Sequence, residues 1–224
     1  MTVQVSIQAP LGSSQGAPMP LTLADYVTPQ RCALVLWDFQ KGLAGKAPAV
    51  AQIQPRAAEL IAAADAAGVM VIWSRHILPP LDLTVGPFLQ FLMKKQKATH
   101  PEQLKPTMQE GMEDTEFLDG MRPAPHHLVL QKSMPSLFVD TPLDARLKAR
   151  GITTLVLCGV ATDIGVEFTA RHAMAKGYYS VIAEDATAAY TDASQARSMA
   201  FMREYFPVSN AAEICRLWAS APGS

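Results

Sequence analysis

The pattern that most constrains this chain is a recurring order of helix, glycine and apolar strand. Three times a helix-compatible segment ends on a glycine followed at once by a β-branched apolar run. These are Arg56 to Ala67 with Gly68 and VMVIW, Leu143 to Arg150 with Gly151 and ITTLVLC, and Val166 to Lys176 with Gly177 and YYSVIAE. A glycine just past a helix supplies the left-handed residue that closes its last turn. Each following strand is apolar throughout rather than alternating, as burial on both faces of a parallel sheet requires. CALVLWD (Cys32 to Asp38) and HLVLQK (His127 to Lys132) read as strands by the same criterion, and VSNA near Val208 as a short last one. Alternating strands and helices predict an α/β fold: a doubly wound, three-layer α/β/α arrangement around a mostly or wholly parallel sheet of about six strands.

Between these units the signals are local. Thr141 is placed to N-cap the helix after HLVLQK, with Pro142 in its first turn and Leu143 and Leu147 facing inward. Asp192 to Tyr205 reads as a helix whose Ala196, Met199 and Met202, with Phe206 beyond, form a core or subunit-contact stripe. Residues 1–20 read as an arm that crosses to another subunit and 21–224 as a single domain. Pro79 to Pro125, with prolines also at 80, 87, 101, 106 and 123, reads as an irregular lid or interface excursion.

A length of 224 residues suits one such domain, which buries most of its apolar surface in one core. With 19 Lys+Arg against 20 Asp+Glu there is no bulk field to collect nucleic acid or an anionic membrane, so a small-molecule partner is expected. Gln8, Pro10, Ser13, Ser14 and Gly16 interrupt the start, which excludes a secretion signal, and no run approaches the roughly 18 apolar residues of a membrane span. Cys32, Cys158 and Cys215 have no CxxC spacing, which argues against disulfides or a zinc cluster and for a reducing, cytoplasmic setting. There is no GxGxxG or GxxxxGK[ST] to cradle phosphate, and no cofactor is expected.

In an open parallel sheet ligands bind beyond the carboxyl ends of the strands. Here the strands stop on Asp38, on Arg75 and His76, on Lys132, near Asp163, and on Glu184 and Asp185. One terminal charge marks only where a strand meets water; five together point to a site. Asp38 and Lys132 carry most weight, because a carboxylate and an ammonium at adjoining strand ends couple strongly in a desolvated cleft. The pair reads either as proton-transfer machinery or as a salt bridge closing the sheet.

LVLWDFQKGL, KSMPSLF and LVLCGVATDIGVEFTARHAMAKGYYSVIAEDA resemble, in order and spacing over most of residues 31 to 190, the first-strand, lysine and nucleophile segments of the isochorismatase-like hydrolases. The resemblance implies a Rossmann-like sheet of about six strands, a homodimer or homotetramer, and an active site at the strand ends. It assigns catalysis to Asp38 and Lys132, a cis peptide to Val160 and Ala161, and an oxyanion hole to the N–H groups of Ala161 and Gly165. Most of the family attack C–N bonds with a thiolate two residues after the aspartate of the TD pair; here that residue is Gly165, which is also catalytic-site lining in the branch that cleaves an enol-pyruvyl ether. That branch typically reads GVYAH where this chain reads GVATD. The metal-binding branch places two histidines after an aspartate beyond the second strand; here only His76 follows, so no metal is expected.

These readings lead to a cysteine-independent hydrolase of a small molecule using Asp38 and Lys132 for acid–base chemistry, with vinyl-ether hydrolysis as one outcome. Substrate contacts are expected from Phe39, Trp73, Arg75, Phe138 and Asp163, with Trp37 and Leu137 completing an apolar wall. His76 reads as an ordinary satisfied histidine. The alternative is a catalytically silent relative that binds a small ligand or serves as an oligomeric scaffold.

Overall fold

The computed structural model describes residues 19–221, so the expected N-terminal arm falls almost wholly outside the described residues. The strands are β1 (Cys32–Trp37), β2 (Met70–His76), β3 (Leu128–Lys132), β4 (Thr154–Val160), β5 (Tyr179–Ala188) and β6 (Val208–Ser209). They form one six-stranded sheet in the order β3-β2-β1-β4-β5-β6, and every pairing is parallel. The helices are α1 (Leu23–Tyr26), α2 (Val50–Ala66), α3 (Gly86–Gln96), α4 (Leu143–Ala149), α5 (Glu167–Ala175), α6 (Asp192–Tyr205) and α7 (Ala211–Ala219).

The three layers follow from strand alternation. Cys32, Leu34 and Leu36 of β1 pack with Ile53, Ala57 and Leu60 of α2 and with Ile214 and Trp218 of α7. Ala33, Val35 and Trp37, pointing the other way, pack with Leu143 and Leu147 of α4, Ala170 and Ala173 of α5, and Met199 and Met202 of α6. The methionine stripe is therefore core. Every residue of β1 and β4 is buried, which explains why these runs carry no alternation. Gly68, Gly151 and Gly177 all have positive φ, as their position after a helix requires.

The structure moves several expected boundaries. α2 starts at Val50 and keeps Pro55 within it, because Ile53 already belongs to the buried stripe continued by Ala57, Leu60 and Ala64. Pro142, not Thr141, occupies the N-cap position of α4, although the Thr141 hydroxyl still accepts the Leu143 N–H at 3.3 Å. Ahead of α5 lies a π-helical turn, Thr162–Val166, an irregularity that often marks function. The excursion between Pro79 and Pro125 is not wholly irregular: it contains α3, with Pro87 in the first turn where its missing N–H costs nothing. Leu78, Leu92, Leu104 and Met108 give it a small core of its own. Among the described residues no helix is long and apolar enough to cross a membrane.

Candidate active site

The strand order reverses between β1 and β4, the point in such sheets where the carboxyl ends part and leave a crevice. Asp38 follows β1 directly and sits in the left-handed region at φ 49°, a conformation that costs a non-glycine residue energy and must be held by its neighbours. Ser74, wholly buried on β2, does this from both sides. Its hydroxyl accepts the Asp38 N–H at 2.9 Å and donates to the Asp38 carboxylate at 2.5 Å. The other carboxylate oxygen accepts at 2.5 Å from the Lys132 ammonium, which reaches over the end of β2 from β3. Both side chains are almost fully buried, at 3% and 5% exposure, so this is an ion pair out of water rather than a surface contact.

Register places His76 directly opposite Lys132, and the ammonium lies 3.1 Å from His76 Nδ1. A cationic lysine can only donate, so Nδ1 accepts and the imidazole proton resides on Nε2. Burial, and then the Lys132 charge, hold His76 well below the usual histidine range; it is a neutral ring. Burial lowers the Lys132 pKa while Asp38 opposes that shift. Gln40 fixes the backbone of the same strand end. Its Oε1 accepts the His76 N–H at 2.7 Å, and its Nε2 donates to the carbonyls of His76 and Thr115.

These groups open into a cavity of about 440 Å³. Trp37 forms one side of it, with the Lys132 ammonium 4.3 Å from the ring centroid. α3 contributes Phe88 and Phe91, and Tyr190 follows β5. Burial and the nearby carboxylates of Asp38 and Asp163 raise the Tyr190 pKa, so its phenol stays protonated. The β4 end supplies Val160 and Ala161, joined by a cis peptide, and then Gly165 in the π turn. Gly159 has φ 118° and lies so close to β1 that a Cβ there would strike the Trp37 backbone.

Of the residues expected at the site, Asp38, Lys132, Val160, Ala161 and Gly165 all line this cavity. Five others do not. Phe39 and Trp73 face the α2 side of the sheet and are core. Phe138, with Leu137, is core on the opposite face, stacked on Tyr178. Arg75 points away from its neighbours Ser74 and His76, as strand alternation dictates, and pairs with Glu110 at 3.2 Å. Asp163 turns toward α6 and lies 3.6 Å from Arg197. Among these aromatics only Trp37 reaches the cavity. Sequence reasoning missed Ser74, Gln40, Phe88, Phe91 and Tyr190, and it undervalued His76. A serine inside VIWSRH was the one available signal; α3 approaches the site only through folding.

No cysteine lines the cavity. Cys158 is buried within β4, and its Sγ lies 3.6 Å from the Val35 carbonyl. Cys32, at the start of β1, has its thiol pushed up to about 12 by burial. Cys215 lies on α7. Among the described residues one cluster away from the cavity has metal-ligand character: Asp65, His126 and His127, at the amino end of the sheet. There, however, His127 Nδ1 accepts from the Trp73 indole N–H at 3.0 Å and the Ala124 N–H at 3.1 Å. The proton must then sit on Nε2, which donates to Asp65 at 2.8 Å and has no lone pair for a metal.

Residues 32–213 match the isochorismatase domain family. Ureidoacrylate amidohydrolase RutB of Methylobacterium radiotolerans is 33% identical over 150 residues, covering 65% of this chain and 57% of that one. The chain spans little more than half the length of the first such relatives, 57% and 55%. A cysteine hydrolase from Pseudomonas syringae pv. phaseolicola superposes with a TM-score of 0.75 at 26% identity, covering 86% of this chain and 94% of the other. N-carbamoylsarcosine amidase from Thermoplasma acidophilum gives 0.65 at 26% identity, covering 81% and 96%. With a family match spanning most of its length, the same parallel sheet, and its conspicuous polar residues gathered at the strand ends, this chain belongs to the isochorismatase domain family.

Proposed function

We propose that this protein hydrolyses a C–N bond of a small amide or ureido substrate, with water rather than a thiol as the nucleophile. The observation that carries this reading is the buried Asp38–Lys132 pair opening into a cavity that no cysteine lines. The choice of bond is supported by relatives named for amide chemistry; none of them supports the ether alternative.

In this mechanism the Asp38 carboxylate accepts a proton as a water oxygen attacks the substrate carbonyl. Charge develops on the carbonyl oxygen beside the Ala161 and Gly165 N–H groups, which serve as the oxyanion hole. Asp38 then returns its proton to the departing nitrogen, so the amine or ammonia leaves neutral and the carboxylate is regenerated. Lys132 stays charged and balances Asp38 throughout. His76, a neutral donor through Nε2, and the Tyr190 phenol are placed to orient the substrate. Loss of covalent help makes the step slower than thiol catalysis, and Gly165 in the nucleophile position is what imposes it.

The test is a mass-spectrometric turnover screen offering primary amides, N-carbamoyl amino acids and enol ethers to wild type and Asp38→Asn. Expected are release of ammonia or amine by wild type, no covalent adduct on the intact protein during turnover, and a loss of about 10²–10⁴-fold in the variant. A folded Asp38→Asn protein with full activity would overturn the mechanism. Cleavage confined to enol ethers would replace the bond, and tight binding without conversion would mark a silent relative.

A further inference from the structure

We propose that Trp37 decides which nucleophile this site can use: its indole fills the volume any side chain at position 165 would need, so the tryptophan and the glycine form one coupled unit. The chemical consequence rests on the reading of Gly165 as the nucleophile position; the packing claim does not.

Gly165 has no left-handed φ, so its backbone conformation does not itself demand glycine. What excludes a side chain is space. A Cβ built there would overlap Nε1, Cε2 and Cδ1 of Trp37, and these are its three nearest atoms. All belong to one rigid ring, unlike the obstruction at Gly159, which is backbone and independent of residue type. Packing holds the ring on its core side, and the Lys132 ammonium covers the face that borders the cavity. Trp37 is 2% exposed, packs in the core with Val35, Leu157 and Val166, and carries the Lys132 ammonium over its face. A thiol at position 165 therefore requires the Trp37 ring to leave its packed position.

The same ring has a second effect on the chemistry. An ammonium over an indole face is attracted by the ring quadrupole, and more so where water is excluded. Trp37 thus helps Asp38 keep Lys132 charged against the burial that lowers its pKa. The residue that removes the covalent route also supports the ion pair on which the alternative route depends.

A double-mutant cycle tests the packing claim without any substrate. Gly165→Ala in wild type is expected to lower Tm by several degrees, the size of an overpacked core. In a Trp37→Val background the same change is expected to be neutral or stabilising, because the methyl enters vacated space. If Trp37→Val does not fold, Trp37→Leu supplies the background. The chemical arm uses 4-nitrophenyl acetate on Gly165→Cys, alone and combined with Trp37→Val, both in Cys215→Ser protein. A thiolate that attacks the ester carbon expels 4-nitrophenolate and leaves one acetyl group on sulfur, seen as an intact-mass adduct mapped to that peptide. The adduct is expected only when Trp37 is also replaced. A neutral Gly165→Ala in wild type, equal costs in both backgrounds, or equally fast acetylation of the single and combined thiol variants would each overturn the proposal. A failed turnover screen would leave the Tm cycle standing, and the reverse also holds.

Discussion

The two ends of the sheet carry similar side chains with opposite consequences. At the amino end Asp65 meets His126 and His127 beside a cavity of about 450 Å³; at the carboxyl end Asp38 meets Lys132 and His76 in one of about 440 Å³. Volume does not distinguish them. Satisfaction does: at the amino end both His127 nitrogens are engaged by protein, Nδ1 by Trp73 and Ala124 and Nε2 by Asp65. Asp65 is also 34% exposed, so water screens it. At the carboxyl end the ion pair is buried, Asp38 is held in a left-handed conformation, and His76 and Tyr190 line the cavity. The lesson is that a carboxylate beside a histidine signals chemistry only where folding leaves capacity for a ligand.

That contrast can be broken by substitution, and the largest effect is expected from Lys132→Met. Removing the ammonium leaves Asp38 buried and uncompensated, at a cost of about 3–5 kcal/mol in denaturant unfolding. A loss under 1 kcal/mol would mean the pair is solvated. Ser74→Ala comes next: it strips a donor from the carboxylate and an acceptor from the Asp38 N–H, and should cost about 1–3 kcal/mol in the same assay together with much of any turnover. Full activity in that variant would remove the serine from the site.

A pH effect should sharpen the same contrast. His76 stays neutral in the folded protein well below its ordinary pKa of 6.5, whereas the unfolded chain takes up the proton near that value. The unfolded state then binds more protons, so stability falls as pH drops below about 6.5, by up to about 1.4 kcal/mol per pH unit. Chemical denaturation between pH 7 and pH 5 should show this slope, and His76→Gln should flatten it. The smallest change is expected at the other end, where Asp65→Asn should cost about 1 kcal/mol or less and leave turnover untouched. If Asp65→Asn reduced turnover as far as Asp38→Asn does, the distinction between the two ends would be lost.

The sheet and the heart of the site were legible in the sequence for identifiable reasons. Buried parallel strands need unbroken apolar runs, and the helix before each needs a glycine to turn back; both leave marks in neighbouring residues. Asp38 and Lys132 were legible because a charge ending such a run is conspicuous. Phe39, Trp73 and Phe138 misled, because an aromatic near a strand end looks alike whether it faces a core layer or a crevice, and strand alternation decides this only once the exact end of each strand is known. The second strand ends at His76 as expected, whereas β5 runs on past Asp185 to Ala188, and Phe39 and Phe138 lie beyond the ends of β1 and β3, where alternation no longer applies.

By itself, then, the sequence determined the layer order, the parallel sheet and the identity of the charged pair, because each is written in local periodicity or in a residue type out of keeping with its neighbours. The tertiary structure alone decided that Ser74 grips Asp38, that α3 walls the cavity, and that the Trp37 ring lies where a side chain at position 165 would be. Those facts join residues from different strands and loops, and contact between distant segments is set by how whole layers pack, on which no single stretch of chain carries a mark.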